Sequence, residues 1–341
     1  MLNRKVPLLF VIVTFILTAI ISSTICLWWS GKRISNSTVS YSPSYAQSCN
    51  YNISRLNGYK FIEPLVFAEE ACESVALNPL KSEIENIINS YKMQGVITSA
   101  SVYLRKFQNN DWISVNDNEK YSPGSLLKVP ELMAFYKMNE LHPGILEKKI
   151  LYSKPTAYNK TPVFVSKSIV PGNTYTIREL LYDMIVYSDN QATLLLNQNI
   201  DLQAFNKVFT DIGLSEPDPN ASEYLISAKD YSLFMKELFN ASYLSIEDSE
   251  YCTELLVKAN FDDGLQAGLP ADCKLANKFG EGGTNINPEF SESGIVYLNN
   301  NDYLITVMTK GTDIKKLPQV VSSISRAVYR KISLSATATG F

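Results

Sequence analysis

The stretch YSPGSLLKVP, residues 121–130, decides how the rest of the chain is read. A turn-forming Pro-Gly precedes Ser125, and Lys128 follows three residues later in an apolar segment that predicts a helix. Residues at i and i+3 share a helix face, so the serine and the lysine project in one direction, close enough to exchange a proton. A desolvated lysine has a lowered pKa and acts as a base, which activates a serine without a histidine. The same residues also fit an ordinary helix start, with Ser125 as the cap and Lys128 solvated. Pro130 predicts a kink in this helix.

Two other stretches decide between these readings. Ser188-Asp189-Asn190 stands at a break between two predicted helices, and Lys278-Phe279-Gly280 ends a β run. The three come in the order of the S-x-x-K, S-D-N, K-T-G signature. In that arrangement Ser125 is the nucleophile, Lys128 its base, and Ser188 the hydroxyl that carries the proton to the leaving nitrogen. Asn190 orients groups in the cleft, and Lys278 offers positive charge to a substrate carboxylate. Gly280 allows substrate to lie along the edge strand, and the N–H groups of Ser125 and Glu281 form an oxyanion hole.

With these motifs in view, residues 79 to 333 resemble the class A β-lactamase-like family of serine hydrolases, which shares its fold with penicillin-binding proteins. The flanks are similar too: GNTYTIRELLYDMIVYSDNQATLLL around Ser188, AGLPADCKLANKFGEGG leading to Lys278, and ILEKKILYS after the nucleophile helix. The chain also departs from the family. Phe279 replaces the usual Thr or Ser, and Ser293 stands where many relatives carry an arginine for the substrate carboxylate. EPDPN, Glu216 to Asn220, matches the E-P-x-x-N of the family's omega loop, which implies Glu216 and Asn220 as holders of a deacylating water. The loop is short, and a Pro-rich turn is the competing reading.

Composition agrees with an exported globular enzyme. Of 341 residues, 45% are hydrophobic and 19% charged, and the net charge of −3 gives nucleic acid no footing. The single histidine, His142, reads as a helix-end residue, which leaves no Ser-His-Asp triad and no histidine-based zinc site. No motif calls for a metal or cofactor. Val6 to Trp29 carries no charge, long enough to span a bilayer as a helix. It predicts an uncleaved anchor with the catalytic domain outside the cytoplasm, a cleaved signal peptide being the alternative. Cys49, Cys72, Cys252 and Cys273 lie beyond it; two disulfides are expected, with Cys49–Cys72 and Cys252–Cys273 the simplest of three pairings.

The expected architecture is α+β: an antiparallel sheet flanked by helices, with an all-helical insertion, preceded by a transmembrane helix. Residues 1–33 are read as tail and anchor, 34–75 as a stalk, 76–334 as the hydrolase domain and 335–341 as a tail. The expected function is a membrane-anchored, monomeric acyl-serine hydrolase acting on β-lactams or related acyl-peptides. The first alternative is a cell-wall D-Ala-D-Ala carboxypeptidase or transpeptidase with slow β-lactam turnover. The second is a non-catalytic binding module.

Overall fold

The computed structural model describes residues 51–56, 65–70, 72–156, 162–164, 167–218, 221, 223–298 and 301–338. Strands β1 (Tyr51–Arg55) and β2 (Leu65–Glu70) pair antiparallel within the segment read as a stalk. Val66 of β2 is buried among the helices, and Phe67 carries the Lys236 ammonium over its ring. Helix α1 (Asn78–Met93) follows, with Pro79 in its first turn, where a missing N–H costs nothing. Its apolar stripe of Leu80, Ile84 and Ile88 is buried.

Five strands form the central sheet. They are β3 (Ile97–Lys106), β4 (Trp112–Val115), β7 (Leu275–Gly283), β8 (Pro288–Val296) and β9 (Tyr303–Gly311), in the order β4-β3-β9-β8-β7 and antiparallel throughout. The sheet is buried on both faces. One face packs on α1 and the C-terminal α8 (Leu317–Ala338). The other packs on a helical block inserted between β4 and β7: α2 (Lys128–Leu141), α3 (Ile177–Val186), α4 (Asn190–Asn197), α5 (Leu202–Asp211), α6 (Ala228–Asn240) and α7 (Ile246–Val257). A small ladder, β5 (Lys149–Leu151) with β6 (Thr174–Thr176), leads into α3. Thr176 and Glu179 close that helix with a reciprocal capping box. The expected α+β sheet with a helical insertion is therefore present.

Four expectations change. The proposed membrane helix, Val6–Trp29, lies outside the described residues, and no helix among the described residues is long and apolar enough to cross a membrane. The longest, α8, is amphipathic: Val321, Ile324 and Val328 are buried while Arg326 and Arg330 face out. The anchor, with the membrane partnership and outward localisation built on it, is withdrawn. Pro130 does not kink α2, because the helix begins only at Lys128 and the proline falls in its first turn. Two helices that the periodicity did not single out, α5 and α7, are each started by a side-chain cap, Asp201 and Ser245. Finally, Cys252 and Cys273 are free thiols. Cys252 is sealed in the helical core, whereas Cys273 packs at the margin of the cluster on the sheet's other face, so the expected bond between them is absent. Cys72 is disulfide-bonded, to a cysteine outside the described residues.

Alkylation of the native protein without reductant should label Cys273 and spare Cys252, with both labelled after unfolding. An intact mass showing neither thiol reactive until reduction would restore the bond.

Candidate active site

The nucleophile sits in a short 3₁₀ turn, Gly124–Leu127, that runs directly into α2. In such a turn i and i+3 eclipse, so Ser125 and Lys128 share a side more closely than an α-helix would give. The turn is pinned along its length. Tyr121 bridges Ile226, Ser122 N–H donates to Glu289 Oε2 (2.6 Å), and the buried Tyr231 hydroxyl donates to Leu126 O (3.0 Å). The turn also lies against β7. A Cβ on Gly280 would collide with Pro123 O, and one on Gly124, whose φ is +52°, would collide with Glu281 O. The bare face of Gly280 is thus filled by the nucleophile turn itself.

Lys128 is 3% exposed. Its Nζ donates to Ser188 O (2.7 Å), Asn190 Oδ1 (2.6 Å) and, at greater length, Ser188 Oγ (3.3 Å). Burial draws its pKa down to about 7, against the opposing pull of Glu131, Asp189 and Glu281. Ser188 occupies the break between α3 and α4 with φ +54°, a left-handed conformation unusual for a residue with a side chain. That conformation turns both its carbonyl and its hydroxyl towards Lys128. Asp189 faces the other way: it caps α4 and accepts from Ser168 Oγ and Ile169 N–H (both 2.8 Å), fixing a neighbouring loop.

Lys278 reaches the same serine from the sheet. Its Nζ donates to Ser188 Oγ (2.8 Å) and Phe279 O (3.0 Å). Burial, and then the nearby Lys128, hold its pKa well below the ordinary lysine value. Beneath it, Glu292 of β8 is fully buried, accepts from Asn277 Nδ2 (2.6 Å) and Leu265 N–H (2.8 Å), and is pushed by burial up to about 7.

Ser125, Lys128, Asn190 and Glu281 line one cleft of about 580 Å³, which continues between α2, α4 and α5 past Thr193, Asn197 and Phe205. The other expected residues lie elsewhere. Phe279 does not line this cleft: its ring is stacked on Phe261 (centroids 4.1 Å apart) beside Phe164 and Phe290, with Lys278 Nζ 4.4 Å over it. Ser293 is buried and shares a hydrogen bond with Thr306 (2.7 Å), so it does not stand in for a carboxylate-binding arginine. Both Glu281 oxygens accept backbone N–H groups, from Val163 (2.8 Å) and Phe164 (2.9 Å). Glu216 is exposed and is not among the residues lining the cleft. Asn220 lies outside the described residues.

One residue of the cleft escaped the sequence reading. Glu131, 5% exposed on α2, lines it three residues beyond Lys128. Burial pushes its carboxyl up to about 8, partly offset by Lys128. The signal was available: a glutamate in the apolar run LLKVPELMAFY is as anomalous as the lysine before it.

Comparison with known proteins bears on this geometry. The model of the β-lactamase enzyme family matches residues 79–332. No curated protein matches the chain. Among solved structures, PBP-A superposes with a TM-score of 0.62 at 20% identity, over 76% of this chain and 97% of its own. A PBP-A mutant solved as an acyl-enzyme complex with penicillin G gives 0.61 at 20% identity, over 76% and 97%. A class A β-lactamase from Mycobacterium abscessus gives 0.62 at 19% identity, over 74% and 98%. At these identities the likeness establishes a common fold.

The packing of turn against strand sets a direct test. Gly280→Ala forces β7 from the nucleophile turn and should lower stability by about 1–3 kcal/mol, the usual cost of overpacking, with loss of covalent labelling at Ser125. Thermal melts and labelling unchanged from wild type would contradict the contact.

Proposed function

The chain belongs to the β-lactamase enzyme family and is a serine hydrolase, and on that premise we propose that it is a peptidase of the D-Ala-D-Ala carboxypeptidase or transpeptidase kind, acylated by β-lactams and slow to release them. The observation that carries this reading is the position of Glu216, exposed and apart from the residues that line the cleft with Ser125. On this reading the omega-loop carboxylate of a fast β-lactamase has no counterpart in Glu216. The resemblance in fold to PBP-A, of which an acyl-enzyme with penicillin G has been solved, supports the same reading.

Acylation follows from the hydrogen bonds. The two short bonds of Lys128, to Ser188 O and Asn190 Oδ1, use two N–H groups. In the uncharged amine the remaining lone pair is free to take the Ser125 proton as Oγ attacks the substrate carbonyl. The resulting ammonium regains its third bond, to Ser188 Oγ. Ser188 already accepts from Lys278, so its own hydrogen is left for the leaving group. It passes that hydrogen to the leaving nitrogen and is resupplied by Lys128. The scissile C–N bond breaks, and the acyl group remains on Ser125 as an ester.

Two measurements test this. Ser125→Ala should abolish labelling by a fluorescent penicillin. In the wild type the labelling rate should rise with pH through about 7, because only the free amine of Lys128 accepts a proton and its fraction grows as pH increases. A rate flat across that range would remove Lys128 as the base. Separately, Glu216→Gln should release a bound penicillin as slowly as wild type does. Fast wild-type turnover, lost in Glu216→Gln, would make the protein a working β-lactamase and sink the peptidase reading.

A further inference from the structure

We propose that Glu131 is the base that activates water against the acyl group on Ser125, so that hydrolysis is driven from the helix into which the nucleophile turn runs. This rests on the acyl-enzyme chemistry proposed above.

Three observations converge on it. The first is position. Ser125, Lys128 and Glu131 succeed one another at intervals of three from the 3₁₀ turn into α2, and helical side chains lean towards the N-terminus. Glu131 therefore leans back towards Lys128 and Ser125. Three residues of 3₁₀ turn and three of α-helix correspond to about 10 Å along the axis, a span that a glutamate side chain and one water cover together. The second is the state of the carboxyl. Glu131 Oε1 is buried and has no hydrogen-bond partner among the described residues, although the residue lines the open cleft. Lys128 spends its donors on Ser188 and Asn190 rather than on this neighbour. A carboxyl at the cleft wall whose buried Oε1 has no partner among the described residues has an acceptor to offer a water, and Thr193 and Asn197 of α4 line the same space. The third is elimination among the other carboxylates. Glu281 is held by Val163 and Phe164, and Asp189 by Ser168, Ile169 and Gln191.

The step balances without a co-reactant. Water adds through oxygen to the ester carbonyl as Glu131 takes one of its protons. The tetrahedral adduct collapses, and the bond from carbon to Ser125 Oγ breaks. The proton returns from Glu131 through the amine of Lys128 to Oγ, which regenerates the free hydroxyl and releases the acid. A raised pKa makes Glu131 a stronger base once ionised. The charged group acting on it is Lys128, on its own helix. The cleft residues facing it from α4 and α5, among them Asn190, Thr193, Asn197 and Phe205, are uncharged, and Glu281 faces it from β7.

The test follows benzylpenicillin on the full chain by intact mass. Wild type, Glu131→Gln and Glu131→Asp should all acylate at Ser125. In Glu131→Gln, which matches the neutral acid in shape, release should slow by about 100-fold, the scale of a lost general base, with Glu131→Asp in between. Wild-type release should accelerate with pH through about 8, since the ionised carboxylate is the active form, and the Gln variant should lose that limb. Equal lifetimes in wild type and Glu131→Gln overturn the proposal alone. Absence of any adduct on wild type overturns it together with the acyl-enzyme reading. If the Gln variant does not fold, a wild-type release rate flat between about pH 6 and pH 9 overturns it.

Discussion

Everything at the catalytic centre depends on a backbone-to-backbone contact: the turn 122–126 lies directly on β7, with no side chain between them at Gly124, Gly280 and Gly282. That contact fixes the distance between the sheet, which carries Lys278, and the helical block, which carries Lys128 and Ser188. A turn standing off by the width of one methyl group would separate Lys278 from Ser188 Oγ, now 2.8 Å away. Tyr231 and Glu289 hold the turn from behind, so the nucleophile rests on fixed supports from α6 and β8. Preorganisation of this kind is what catalysis by positioned groups requires.

The site also runs against the ordinary economy of a core. Lys128, Glu131, Lys278 and Glu292 are all buried, and burial displaces each towards its neutral form. The consequences for stability have opposite signs. Between about 7 and 10.5 the unfolded chain keeps a proton on Lys128 that the folded chain does not, so stability from this group is lost as pH falls through that window. Glu131 behaves inversely: the folded chain holds a proton between 4.5 and about 8 that the unfolded chain releases, so its contribution fades as pH rises. Apolar replacements at such positions are often neutral or stabilising, which makes the set costly to the fold and useful only to chemistry.

Much of this was legible in the sequence because the chemistry is local. Ser125 with Lys128, and Ser188 with Asn190, are short-range pairs at helix starts and breaks, and the structure brings them together with Lys278 at hydrogen-bond or cleft distance. The residues that misled were those whose role depends on which side of a strand or loop they take. Phe279 and Ser293 align with carboxylate-binding positions, but neither lines the cleft: one is stacked on Phe261 and the other is bonded to Thr306. Glu216 has the right local sequence, yet the segment after α5 leaves it exposed. Gly280 was read as room for substrate and proves to be room for the turn. Glu131 went unnoticed because spacing rules look for partners, and its distinguishing feature is a buried Oε1 with no hydrogen-bond partner among the described residues.

Ser188 has a consequence of its own. One hydroxyl oxygen receives two lysine Nζ groups, one from the helical block and one from the sheet, and positive charges so close repel. Linkage makes that repulsion reciprocal. Whatever favours the charged form of Lys278, such as an anionic group arriving at that end of the site, disfavours the charged form of Lys128 at the other. The shared oxygen sets the two lysines against each other, so that charge on either one disfavours charge on the other.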